Sequence, residues 1–145
     1  MKAHEGSDAE IGPAHTVKGT AANVADVTVA HKLLHGEGEL VFADAGYQCV
    51  AKRQESEGKE IKWHVAMRPG SRRALSESKA DRLRGQIEKL KTQVRAKGEH
   101  AFRVVKRQFG YVRVRYRGLA KNSQVRTLFA LANLWMARRA LMNAG

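Results

Sequence analysis

The hydrophobic period of this chain changes near residue 76, and that change restricts it to folds in which a small sheet is backed by helices. Upstream, apolar residues come in short runs. Ala14-His-Thr-Val-Lys-Gly19 is β-branched and ended by glycine, which predicts a strand. Asp26 predicts the cap of a helix over Val27 to Leu34, closed by His35-Gly36. Leu40-Val-Phe-Ala43 has the continuous apolar pattern of a buried central strand, stopped at Asp44 with Gly46 as a turn residue. Ile61 to Met67 alternates and predicts another strand before Pro69-Gly70. Downstream, Ser76 to Lys106 is a run of helix formers. Leu83, Ile87, Leu90, Val94, Ala101 and Val105 share one stripe, and Gly98 marks a kink or break. Asn122 or Ser123 predicts the cap of a last helix whose apolar face is Val125, Leu128, Phe129, Ala132, Leu134 and Trp135. With no internal repeat, the order implies an α/β or α+β layer fold: residues 1–75 sheet-rich, residues 76–145 helical and basic.

Charge divides the chain in a similar place. Residues 1–60 hold six Lys and Arg against ten Asp and Glu, a net of −4; residues 61–145 hold twenty-one against four, a net of +17. A basic half of that size points to a polyanion, most simply nucleic acid, because each neutralised phosphate releases condensed counterions. The plain alternative is a solvated basic surface. Cys49 is the only cysteine, so no internal disulfide forms, and no Cys/His set has zinc-ligand spacing. Met1 to Ile11 is polar and acidic, unlike a signal peptide, and the longest apolar stretch, Thr127 to Ala137, falls short of the ~20 residues that span a bilayer. A soluble cytoplasmic protein, nucleoid-associated when bound to DNA, is expected, with no membrane partner.

Two carboxylates stand out. Asp44 ends the apolar run, where open α/β sheets place ligands; a turn-forming Asp before Gly46 is an equal reading. On an unbroken helix, Glu99 lies about 40° and Lys106 about 20° from Arg95, while the apolar stripe lies roughly 80–100° away. That face carries a carboxylate flanked by cations, or simply an i,i+4 ion pair worth ~0.2–0.5 kcal/mol. A strand-end Asp with a helical Glu suits hard divalent ions, and two-metal phosphodiester cleavage needs such carboxylates around the scissile phosphate. Arg and Lys beside them suit phosphate oxygens. In Phe109-Gly-Tyr-Val-Arg-Val-Arg-Tyr-Arg117, Tyr111 and Tyr116 are placed to stack on bases beside Arg113, Arg115 and Arg117, or to pack in the core.

Longer segments carry a resemblance: Met1-Lys-Ala-His4, Gly19-Thr-Ala-Ala-Asn-Val24, Val41-Phe-Ala-Asp-Ala-Gly-Tyr47, Phe102-Arg-Val-Val-Lys-Arg-Gln-Phe-Gly-Tyr111 and Thr127 to Arg139. With Arg95-x3-Glu99-x6-Lys106 they resemble the carboxyl-terminal part of the catalytic domain of a bacterial insertion-sequence transposase, of the fifth insertion-sequence family within the DDE class. The resemblance covers nearly the whole chain. It implies a ribonuclease-H-like core, Mg²⁺ or Mn²⁺, and phosphoryl transfer on insertion-sequence DNA ends. It makes Asp44 and Glu99 catalytic, metal-holding carboxylates. Arg95, Arg103, Lys106, Arg107, Arg113, Arg115 and Arg117 become phosphate or DNA contacts.

The family's first catalytic Asp falls upstream of the matching segment. The expectation is therefore an incomplete core lacking its first strand, inactive alone, with free strand edges open to a homo-oligomer or to full-length transposase. Departures add to it. Thr92 stands where related groups have Tyr, Cys49 in place of Gly, Lys18 and Gly98 in place of apolar residues, and Ala101 in place of Pro, while Ser123 to Arg126 is shortened. Lys18 is expected to bring a charge into a buried strand. The alternatives are a non-catalytic basic nucleic-acid binder, an inhibitor of full-length transposase, and, third, a ribosome-associated RNA binder.

Overall fold

The computed structural model describes residues 1–35, 39–58, 60–113, 116, 118 and 120–144. Its elements are strands β1 (Lys2–Ser7), β2 (Ala14–Thr20), β3 (Leu40–Ala43) and β4 (Lys62–Val65), with helices α1 (Asp26–Val29), α2 (Pro69–Arg73), α3 (Lys79–Arg107) and α4 (Gln124–Asn143). The mixed α/β class expected from the pattern is present. Gly36 lies outside the described residues.

Among the described residues the strands form two separate pairs. β1 and β2 make an antiparallel hairpin, with Lys2 opposite Thr20 and a register shift between Gly6 and Ser7. Asp8 shapes its turn by accepting the Glu10 and Ile11 N–H groups at 2.8 Å each. β3 and β4 run parallel, Leu40 beside Lys62 and Ala43 beside Val65. β3 is therefore not a buried central strand: Leu40 is exposed, Val41 and Phe42 are half-buried, and only Ala43 is buried. Four apolar residues in a row do not guarantee burial on both faces of a two-stranded sheet.

The core lies elsewhere. Ala14 of β2, Ala101 and Val105 of α3, and Val125, Phe129 and Ala132 of α4 form one buried cluster, lined by Met1, Ala3 and Val17 of the hairpin. Phe129 stands edge-on to Phe102, ring centres 4.8 Å apart. Asn133 anchors α4 to the hairpin, accepting the Ala14 N–H at 2.9 Å and donating to the Ala14 carbonyl at 2.6 Å. Only part of the expected α4 face is used: Leu134 and Trp135 stay exposed, and Arg138 lies over the Trp135 ring. Ser123 makes no side-chain cap; Asn122 is fully buried instead and donates to the Tyr116 and Gly118 carbonyls.

Three further expectations change for local reasons. α1 is one turn followed by a 3₁₀ turn (Ala30–Lys32), and Asp26 does not cap it; its carboxylate meets Lys2 at 2.8 Å and His4 at 3.0 Å. Lys18 points outward from β2, so no charge is buried there. Gly98 breaks nothing: α3 runs through it, and a Cβ there would fall on the Ser7 hydroxyl, so the missing side chain lets the hairpin approach. Cys49 has φ of +65°, a conformation that glycine takes at least cost, in keeping with the glycine expected at that position.

Candidate active site

Parallel pairing puts the carboxyl ends of β3 and β4 at the same edge of their sheet. β3 delivers Asp44, whose Oδ1 accepts the Gly46 N–H at 2.7 Å and so caps the 3₁₀ turn Ala45–Tyr47. Asp44 is thus a turn residue and also lines a cavity of about 610 Å³, together with Arg72 and Arg73 of α2 and Glu88, Thr92 and Arg95 of α3. Nearby Tyr47 has its phenol pushed up to about 12 by burial and by the Asp26 and Asp44 carboxylates.

α3 begins with Ser78 accepting the Asp81 N–H, and Asp81 also accepts from Ser76. Two turns in, Glu88 is buried yet fully engaged: it accepts Lys91 Nζ at 2.7 Å and the Met67 N–H at 2.8 Å, while Lys91 also donates to the Val65 carbonyl. Burial opposes its ionisation, but these hydrogen bonds and the Lys91 and Arg72 charges outweigh that and hold the carboxyl below its ordinary value. The Glu88–Lys91 pair fastens α3 to the exit of β4.

Farther along, the residues of the expected face are divided between two concavities, Arg95 lining the first. Glu99 lines a second groove of about 400 Å³ with Ala96, His100, Arg103, Lys106 and Arg107. The Glu99 side chain is 73% exposed, and Arg95 Nη2 is 3.9 Å from its Oε1, a long, solvent-screened contact. Lys106 Nζ sits 5.7 Å from the Phe102 ring centre, on the basic side of the core helix. Arg113 is exposed in the following loop. Arg115 and Arg117 lie outside the described residues. Tyr111 packs against the core, whereas Tyr116 is 55% exposed.

The two expected carboxylates therefore line different concavities, with Arg95 lining the first and reaching Glu99 in the second. Carboxylate oxygens are the right donors for Mg²⁺ or Mn²⁺. Among the described residues, however, no group of three or more His, Cys, Asp or Glu is placed to hold a metal ion, so the arrangement does not fit a metal cage.

Another carboxylate is close to Glu99. Glu5 of β1 has one buried oxygen with no hydrogen-bond partner, and burial, with Glu99 adding to it, raises its pKa to about 8. Across the hairpin, His4 is buried between Asp26 and Thr20, 3.0 and 2.7 Å away. Burial lowers its pKa despite the neighbouring Asp26 carboxylate. Sequence reasoning had not singled out Glu5, Arg72, Arg73 or Glu88. Ser71-Arg72-Arg73 directly after Pro69-Gly70 was the available signal for the arginines; nothing local marks Glu88, whose role depends on where β4 ends.

No helix among the described residues is long and apolar enough to cross a membrane. No solved structure matches the chain. A family profile described as a transposase DDE domain matches residues 1–135, nearly the full length. The chain belongs to the transposase DDE domain family.

Proposed function

We propose that this chain binds DNA along the exposed face of α3, and that Asp44 and Glu99, which line different concavities, occupy the family's strand-cleavage carboxylate positions without cleaving in the chain alone. The observation that carries the reading is the groove in which Arg103, Lys106 and Arg107 flank Glu99 on the side of α3 turned away from the core. Guanidinium forks and a lysine point charge suit phosphate oxygens, and the net of +17 over residues 61–145 supplies the long-range attraction. Arg113, exposed in the loop after α3, extends the same basic character. In DDE-class chemistry a divalent ion stabilises charge on the scissile phosphate. Asp44 and Glu99 line different concavities, and among the described residues no set of three or more such ligands gathers round either, which supports a reading of binding over cleavage by the chain alone.

The test pairs two measurements on the chain and its Glu99→Gln variant. Duplex binding is followed at 50 and 200 mM salt, and nicking of supercoiled DNA is followed with Mg²⁺ or Mn²⁺. Binding by both proteins that weakens steeply with salt, and nicking by neither, is the expected result. Nicking by the chain that disappears in Glu99→Gln would overturn the binding-only reading. Binding indifferent to salt would overturn the electrostatic one.

A further inference from the structure

We propose that the cavity at the carboxyl ends of β3 and β4 is a second phosphate-binding site, in which Arg72 and Arg73 of α2 and Arg95 of α3 grip a nucleic-acid backbone beside Asp44. The inference rests on the DNA-binding reading and adds to it a contact surface separate from the Arg103–Lys106–Arg107 groove.

Chain geometry assembles the site. β4 ends beside Asp44, and only three residues separate Val65 from α2, so Arg72 and Arg73 are carried to the mouth of the cavity. α3 crosses the other side and contributes Arg95. The charges in this cavity do not cancel. Glu88 is already satisfied by Lys91 and the Met67 N–H, and Asp44 spends one oxygen on the Gly46 N–H. Among the described residues, no carboxylate lies within salt-bridge distance of Arg72 or Arg73, and Arg95 has only the 3.9 Å contact with Glu99. Three guanidiniums from two helices thus face one open space of about 610 Å³.

A small acid would find no enclosed apolar wall here, and a lone cation would be repelled. A phosphodiester backbone meets both conditions. Its anionic oxygens match the planar guanidinium fork, and successive phosphates can engage α2 and α3 together. The carboxylate of Asp44 then lies beside the bound backbone rather than under it.

The test is fluorescence anisotropy with a short labelled DNA duplex from 50 to 200 mM NaCl. It uses the full chain, the Arg72→Ala/Arg73→Ala double variant, an Arg103→Ala/Lys106→Ala variant and an Arg138→Ala/Arg139→Ala control. Thermal melts confirm that each is folded. If the cavity grips phosphates, removing Arg72 and Arg73 weakens binding several-fold at 100 mM salt. It also flattens the plot of log affinity against log salt by about 0.9 per lost contact. The Arg72→Lys/Arg73→Lys variant keeps most of the slope while losing affinity, as expected when a fork is replaced by a point charge. An unchanged slope in the Arg72/Arg73 variant, with weakened binding in the Arg103/Lys106 variant, overturns the cavity site and leaves the DNA-binding reading standing. An equal loss in the Arg138/Arg139 control also overturns it, because net charge alone then explains the effect. Salt-independent binding by the parent chain overturns both.

Discussion

The two halves of α3 carry the same apolar stripe and meet opposite fates. In the carboxyl-terminal half, Ala101 and Val105 are buried against Phe129 of α4 and the β1–β2 hairpin. In the amino-terminal half, Leu83, Ile87 and Leu90 are 51–60% exposed, and that end is held instead by the buried Glu88–Lys91 pair. A helical stripe states which side of a helix prefers to be covered. Whether it is covered depends on whether another element arrives there, and here α4 and the hairpin serve one half only.

Truncating one apolar side chain at each half of α3 separates their contributions to stability. Phe129→Ala is expected to cost ~3–5 kcal/mol, because it removes a fully buried ring and leaves a cavity. Ile87→Ala is expected to change stability by no more than ~0.5 kcal/mol, as for an exposed site. Urea unfolding of both variants checks the pair; equal losses would mean that the exposed stripe is covered in solution.

Next in size is the polar fastening. Glu88→Ala strands the Lys91 ammonium and the Met67 N–H, and a loss of ~3 kcal/mol is expected from breaking a buried pair. Native-state hydrogen exchange at Met67 reads it directly, since the amide loses its acceptor.

Glu5 sharpens the carboxyl-terminal half, where β1 faces Glu99. Its folded pKa is raised from the ordinary 4.5 to about 8, so the folded state holds the proton more tightly than the unfolded chain. The stabilisation is fully present below pH 4.5 and is lost as pH rises through about 8. Glu5→Gln is therefore expected to flatten the fall in Tm across that window and to melt several degrees higher than the parent at pH 8. Thermal melts of both proteins from pH 4 to about 8.5 decide it, their difference isolating Glu5 from the histidines.

The smallest effect lies where the halves join. Helix propensity alone predicts that Gly98→Ala stabilises by ~1 kcal/mol. The Ser7 contact predicts a loss of about that size instead, and Gly98→Ala combined with Ser7→Gly is expected to recover it. Chemical denaturation of the single and double variants gives the sign.

Legibility in the sequence followed the range of the forces. Asp44 at a strand end, its turn with Gly46, and the i,i+4 approach of Arg95 to Glu99 were readable, because each depends on a few neighbouring residues and a fixed backbone period. The burial of β3 was not, because that depends on how many strands flank it. The exposure of Lys18 was missed for the same reason. The separation of Asp44 and Glu99 into two concavities was also invisible, since spacing along a helix says nothing about its distance from a strand end elsewhere in the chain.

By itself, then, the sequence determined the mixed strand-then-helix order, the basic half, the carboxylate candidates and membership in the transposase DDE domain family. These are properties of local period, charge count and motif. Tertiary structure alone decided that Asn133 ties α4 to Ala14, that Gly98 makes room for Ser7, that Glu88 is spent on fastening α3 to β4, and that Arg72 and Arg73 line one cavity with Asp44. Each of these joins residues far apart in the chain. They form only once hydrophobic burial around Phe129 and the pairing of β3 with β4 have fixed where the elements lie.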